Sequence, residues 1–127
     1  AGSYAPGSSG VQVVVVAPDG IDEEIPAAQA SVLYRVAQEG LRNALRHAAA
    51  SRIEIRIWTE GDNARLEVTD DGSGFDVPAA ERRSSGVGLF RARELLADAG
   101  GEMRIHSSPG SGTRIVATST ALQGTST

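Results

Sequence analysis

Two hydrophobic periods alternate along this chain, and the switches between them mark its elements. Val11 to Val16 is a short, nearly continuous apolar run of β-branched residues, which predicts a strand ended by Pro18-Asp19-Gly20. From about Ala27 to Ala49 the period is helical, with Val32, Leu33, Val36, Ala37, Leu41, Ala44, Leu45 and Ala48 recurring at three- and four-residue steps. Pro26 stands where a first turn tolerates proline, with Glu23 and Glu24 just ahead. Gly40 costs this helix about 1 kcal/mol relative to alanine, which predicts a close approach by another backbone or a ligand. Period two follows: Ile53, Ile55 and Ile57 face one side, Glu54, Arg56 and Trp58 the other, and Leu66 and Val68 continue the buried face after Gly61-Asp62-Asn63. Residues 70–88 carry neither period and exceed the usual connection of about 4–6 residues, so a functional or mobile loop is predicted. A second helix over about Leu89–Ala99 ends at Gly100-Gly101, and strands over about Glu102–Ser107 and Thr113–Ser119 pair across Ser108-Pro109-Gly110-Ser111-Gly112.

The order strand, helix, hairpin, loop, helix, hairpin predicts an α/β fold, a two-layer α/β sandwich with a mixed, mostly antiparallel sheet and helices on one face. Residues 1–10 read as a linker or cloning remnant, 11–122 as one domain and 123–127 as a disordered tail. The chain's 127 residues suit a single domain with an ordinary core. Cysteine is absent, so disulfides and thiolate metal sites are excluded. All 12 positive charges are arginine, and a Walker loop, which needs Gly-Lys-Ser/Thr, is excluded with the missing lysine. The net charge of −4, the lack of a basic run and the few aromatic residues argue against nucleic acid as a partner. No stretch approaches the roughly 18 apolar residues of a membrane span, and no signal peptide opens the chain; the expectation is a cytoplasmic domain without membrane contact.

Glu39, Asn43, Arg46 and His47 lie at i, i+4, i+7 and i+8 and form one polar seam on the long helix. On such a seam the Asn43 carbonyl suits magnesium beside phosphate oxygens. Glu39 and His47 are the catalytic candidates, Glu39 as a base or as the orienter of a metal-bound water, and Arg46 and His47 would steady phosphates. The structural alternative is a solvated helix face, with Arg46 and His47 acting as cations near the helix's negative end. In a strand ending Leu66-Glu67-Val68-Thr69-Asp70, alternation puts Asp70 on the core face. An unpaired polar group there costs roughly 2–7 kcal/mol, so Asp70 needs a donor, and the exocyclic amine of a purine is a suitable one. The alternative is a turn cap accepting the Gly72 N–H, a role that fits Asp71 better. Gly72 and Gly74 permit backbone conformations closed to other residues and remove side chains that would block a flat ligand. Gly86, Val87, Gly88 and Leu89 enter the second helix, where backbone N–H groups and the helix dipole favour an anion such as a triphosphate. Between the glycine pairs, Pro78 to Ser85 reads as a flexible flap. Thr113 opens a strand, where its hydroxyl satisfies a turn or bonds a base through water. His106 is expected on a strand's outer face and takes no role.

The segment Arg35-Val36-Ala37-Gln38-Glu39-Gly40-Leu41-Arg42-Asn43-Ala44-Leu45-Arg46-His47-Ala48 resembles the N box of the Bergerat-fold ATPases, which group gyrase, heat-shock chaperone, histidine kinase and mismatch-repair ATPases. Asp70-x-Gly72-x-Gly74 is similar to their first glycine box and Gly86-x-Gly88-Leu89 to their second. Gly88-Leu89-Phe90-Arg91-Ala92-Arg93-Glu94, Gly100-Gly101 and the Ser108–Thr113 turn are similar to sensor histidine kinases of the nitrate-sensor type. The resemblance covers roughly residues 26–119. It implies the ATP-binding catalytic domain of a two-component histidine kinase, with ATP and Mg²⁺ as cofactors. Asn43 would hold magnesium, Asp70 would recognise adenine, and the glycines would shape and gate the phosphate end. Glu39 is a candidate base or metal-orienting group; most histidine kinases carry Asn there, whereas the nitrate-sensor type carries Gln-Glu. The same Glu-x-x-x-Asn spacing occurs in hydrolysing members. No phenylalanine-containing box separates the glycine boxes. The implied partners are a helical domain bearing the phosphoacceptor histidine and, downstream, a response regulator. No such helical hairpin precedes residue 11, and His47 and His106 fit other places. The alternatives are an anti-sigma-factor serine kinase on the same fold and a non-catalytic scaffold.

Overall fold

The structure is a computed structural model that describes residues 2–4, 11–21, 25–47, 50–83 and 87–120. Its strands are β1 (Gly2–Tyr4), β2 (Gln12–Val16), β3 (Arg52–Glu60), β4 (Asn63–Asp70), β5 (Glu102–Ser107) and β6 (Thr113–Thr120). Its helices are α1 (Ala27–His47), α2 (Val77–Arg83) and α3 (Val87–Asp98). The strands form one sheet in the order β1-β2-β3-β4-β6-β5. Only β2 and β3 pair in parallel, and α1 is the crossover that a parallel pair requires. The other neighbours are antiparallel. This is the expected two-layer α/β sandwich with a mixed, mostly antiparallel sheet.

Alternation gives the sheet one apolar face. Val68 lies between Ile55 and Ile115, and Leu66 between Ile57 and Ala117. Leu33 and Val36 of α1 and Leu96 of α3 bury against that face. α1 crosses β4 and β6 at Gly40, where a Cβ would come within 3.2 Å of Ile115 Cδ1 and 3.3 Å of Val68. The close approach expected at this glycine is therefore made by the sheet, not by a ligand.

The path of the chain fixes where the polar seam ends. A helix crossing between parallel β2 and β3 runs opposite to them, and hence in the direction of β4. Asn43 to His47 therefore reach the end of the sheet where β4 finishes at Asp70 and β6 begins at Thr113. The N-terminus of α3 arrives at the same end. Its C-terminus closes at the opposite one: Gly100 N–H donates to Ala97 O at 3.0 Å and Gly101 N–H to Leu96 O at 2.8 Å, the expected glycine cap.

Three expectations are corrected. Gly2–Tyr4, expected as linker, pairs antiparallel with Val13–Val15; the pairing is through the backbone, which leaves no apolar pattern to read. The stretch 70–88, expected to be irregular, contains α2. Asp76 Oδ1 accepts the Ala79 N–H at 2.9 Å, so Asp76 caps this helix and Pro78 lies in its first turn. The rest of the expected flap, residues 84–85, lies outside the described residues. α3 begins at Val87, two residues before the expected start.

Candidate functional site

Asp70 is the last residue of β4, on the inner face, and only 7 % exposed. Its Oδ1 accepts the Gly72 N–H at 2.8 Å, and among the described residues no donor reaches Oδ2. Burial raises the carboxyl above its ordinary 3.8; the Gly72 N–H opposes that shift and the neighbouring charge of Asp71 adds to it. A cavity of about 620 Å³ opens beside it; Val77, Ile105, Ser107 and Thr113 line its inner part, and Thr69, His106, Ser108, Ser111 and Arg114 line its mouth. The roles expected of the two aspartates are thus partly exchanged. Asp70 makes the turn bond assigned to Asp71, while Asp71, pointing the other way, reaches back to β3. Asp71 Oδ1 accepts the N–H groups of Ser51 at 2.8 Å and Arg52 at 3.0 Å, and Oδ2 accepts the Ser51 hydroxyl at 2.5 Å. Those bonds, the Ser51 hydroxyl first, lower the Asp71 carboxyl from 3.8 to about 2.

Asp70, Thr113 and Ser107 stand side by side across β4, β6 and β5. Thr113 is 5 % exposed, and its hydroxyl oxygen lies 3.0 Å from that of Ser107. Ser107 Oγ also accepts the Phe75 N–H at 2.9 Å and donates to Gly112 O at 2.9 Å. Sequence reasoning passed over Ser107 because it abuts a Ser-Pro-Gly turn. Its alternation with Met103 and Ile105 already placed it on the inner face.

The first glycine turn docks on the β5–β6 turn, where the Gly110 N–H donates to Ser73 O at 2.6 Å. Gly74 has φ +69°, and a Cβ there would run into the Ser108 carbonyl oxygen and sit 2.9 Å from Gly112 O. The space freed at Gly74 is taken by backbone, so this glycine shapes the wall of the site rather than clearing room for a flat ligand.

On α1, Glu39 is 7 % exposed; Arg35 Nε donates to its Oε2 at 3.2 Å, and Arg42 Nη1 lies 4.0 Å away. Its carboxylate occupies the space a side chain on Gly88 would need, so the first turn of α3 packs directly on it. A negative charge at that helix end is favourable. Asn43 is half-buried, with no hydrogen-bond partner among the described residues, and Arg46 is exposed. Leu89 is a core residue. His47 closes α1 and Val87 opens α3, but their side chains, like all of Gly86, lie outside the described residues.

Among the described residues no group of three or more His, Cys, Asp or Glu could hold a metal. Magnesium does not require one. It keeps several waters and binds through one or two protein oxygens plus substrate phosphates, and the unengaged Asn43 carbonyl oxygen fits that donor set.

The fold is one already seen in solved structures. It matches the blue-light activated histidine kinase of Erythrobacter litoralis EL346 with a TM-score of 0.73 at 24 % identity, covering 91 % of this chain and 36 % of that one. The histidine kinase AdeS of Acinetobacter baumannii matches at 0.61 and 17 % identity, covering 73 % and 47 %. Sequence relatives agree with the fold. The sensor histidine kinase MctS of Rhizobium johnstonii is 38 % identical over 90 residues, 70 % of this chain. The sensor protein VraS of Staphylococcus epidermidis is 34 % identical over 94 residues, 74 % of this chain. The chain spans only 20 % and 26 % of the lengths of these two relatives. The family model described as histidine kinase-, DNA gyrase B-, and HSP90-like ATPase matches residues 28–122, and the chain belongs to that family.

Proposed function

We propose that this chain is the ATP-binding catalytic domain of a two-component sensor histidine kinase of the nitrate-sensor type. In this reading it binds ATP with Mg²⁺ and presents the γ-phosphate to a histidine on a separate helical domain, from which a response regulator is charged. The observation that carries the proposal is Asp70, a buried carboxylate whose second oxygen meets no donor among the described residues, beside a cavity at the end of the sheet. That oxygen accepts the exocyclic amine of adenine, and Thr113 beside it completes the base contact. Gly72 and Gly74 hold the turn that walls the base. The N-terminal turn of α3, with Gly86, Val87, Gly88 and Leu89, supplies N–H groups to the phosphates, and Arg46 and His47 steady them from α1. Asn43 provides the protein oxygen for magnesium, whose chemistry is neutralisation of the phosphate charge. Glu39, fixed by Arg35, orients water or the nucleophile beside that centre.

Little covalent chemistry falls to such a domain; positioning and charge neutralisation do the work of phosphoryl transfer. The naming of its relatives as sensor kinases favours this reading over a serine kinase or an inert scaffold. Among the described residues no helix is long and apolar enough to cross a membrane; a cytoplasmic location belongs to the proposal. Calorimetric titration tests the proposal. ATP–Mg²⁺ should bind the wild type, and Asp70→Asn should weaken binding by about tenfold to a hundredfold, the worth of a hydrogen bond to a charged group. Asn43→Ala should weaken ATP–Mg²⁺ while leaving adenosine nearly unaffected. No heat with the wild type, or an unchanged affinity for Asp70→Asn, refutes it.

A further inference from the structure

The hydroxyl protons in the row Asp70–Thr113–Ser107 have fixed destinations. A serine hydroxyl has one proton to give and two lone pairs. Ser107 gives its proton to Gly112 O, a carbonyl that can only accept, at 2.9 Å. One lone pair takes the Phe75 N–H at 2.9 Å. The contact to Thr113 at 3.0 Å can then be made in one sense alone, with Thr113 donating into the remaining lone pair. Were Ser107 to donate to Thr113 instead, Gly112 O, in a buried residue, would lose this bond at a cost of about 1–3 kcal/mol. Thr113 is thereby left with lone pairs and no free proton. Its cross-strand neighbour Asp70, once ionised, also has only acceptors to offer.

We propose that Ser107 is a specificity-determining positioning residue: by absorbing the Thr113 hydroxyl proton it leaves an acceptor-only wall that selects a 6-amino purine over a 6-oxo purine. A 6-amino group brings two N–H donors to that wall. A 6-oxo group brings lone pairs against lone pairs, leaving the N1–H as the one donor on that edge against the two of the amine, and the hydroxyl that would otherwise rotate to meet the 6-oxo oxygen is locked. The same Ser107 oxygen ties the first glycine turn, through Phe75, to the β5–β6 turn, through Gly112, so base selection and the shape of the pocket share one atom.

This inference rests on the reading of the cavity as an adenine site, and the experiment separates the two. Affinities for ATP–Mg²⁺ and inosine triphosphate–Mg²⁺ are measured by calorimetry for the wild type, Ser107→Ala, Ser107→Thr and Thr113→Val, with thermal melts for each. The wild type should prefer ATP. Ser107→Ala should lower the ATP-to-inosine ratio by about tenfold, because Thr113 regains a proton to donate, and Ser107→Thr should restore the ratio. A purely structural role for Ser107 would weaken both ligands alike and leave the ratio unmoved, which overturns the proposal. Thr113→Val provides a test that does not depend on the folding of the Ser107 variants. Loss of an acceptor should weaken ATP more than the inosine nucleotide, and the opposite order overturns the proposal. Failure of the wild type to bind ATP would instead sink the site assignment itself.

Discussion

An ionised carboxylate at the inner end of β4 costs the folded protein what a solvated one would not, and this desolvation is what raises the Asp70 carboxyl. The consequence for stability has a definite sign. A group whose folded value is raised contributes stability that is fully present below its unfolded value, here near the ordinary 3.8, and lost as pH rises through the folded value. Asp70→Asn keeps the carbonyl that accepts the Gly72 N–H and removes the charge. At neutral pH the ligand-free variant should therefore melt above the wild type, whatever its affinity for nucleotide. The gap should shrink as pH falls toward 3.8. Nucleotide affinity of the wild type should fall on acidification before an exposed aspartate would titrate. Melting curves and titrations across pH 3 to 8 check both, and a melting gap that ignores pH contradicts the assignment of Asp70 as a desolvated charge.

Among the elements, those with a sustained period were legible and those held by backbone or by single side chains were not. α1 declared itself through a long run of three- and four-residue steps, and the hairpins through alternation around turn residues. α2 was missed although Asp76 and Pro78 signal its start, because seven residues are too few for a period to emerge. The site divides the same way. Alternation fixed the inward direction of Asp70, whereas nothing local showed that Asp71 would leave its own turn to bind Ser51 and Arg52 across the sheet end. That clamp holds the end of β4 against the start of β3, directly after the chain leaves α1. The Asp71 carboxyl is lowered to about 2, so its contribution is present above 3.8 and disappears as pH falls from there toward 2. Asp71→Ala should lower the melting temperature at pH 6 and flatten the wild type's loss of stability between pH 4 and 2. Parallel acid profiles for the two proteins would show that the clamp carries no stability.

At the scale of the whole molecule, the end of the sheet where β4 finishes and β6 begins gathers the cavity beside Asp70, the first glycine turn, the end of α1 and the start of α3, and the cavity reaches the outer face through Thr69, His106 and Arg114. The chain has two histidines. His47 belongs to α1 itself, and His106 is exposed on β5 with its strand neighbours Ser107 and Ile105 turned the other way, toward the helices. In-line transfer needs the reacting atoms about 3–3.5 Å apart, and His106 lines the cavity beside Asp70, not the space between α1 and α3 where the proposed site holds the phosphates. In the proposed site the phosphate acceptor therefore approaches the helix side from outside. With γ-labelled ATP–Mg²⁺ the chain alone should therefore acquire no acid-labile label. A histidine-bearing helical domain from a sensor kinase relative, supplied as a separate protein, should become labelled in a reaction that Asp70→Asn suppresses. Acid-labile label on this chain, removed by His106→Ala, would mean that the phosphate end opens on the other face of the sheet and that the site has been placed on the wrong side of the molecule.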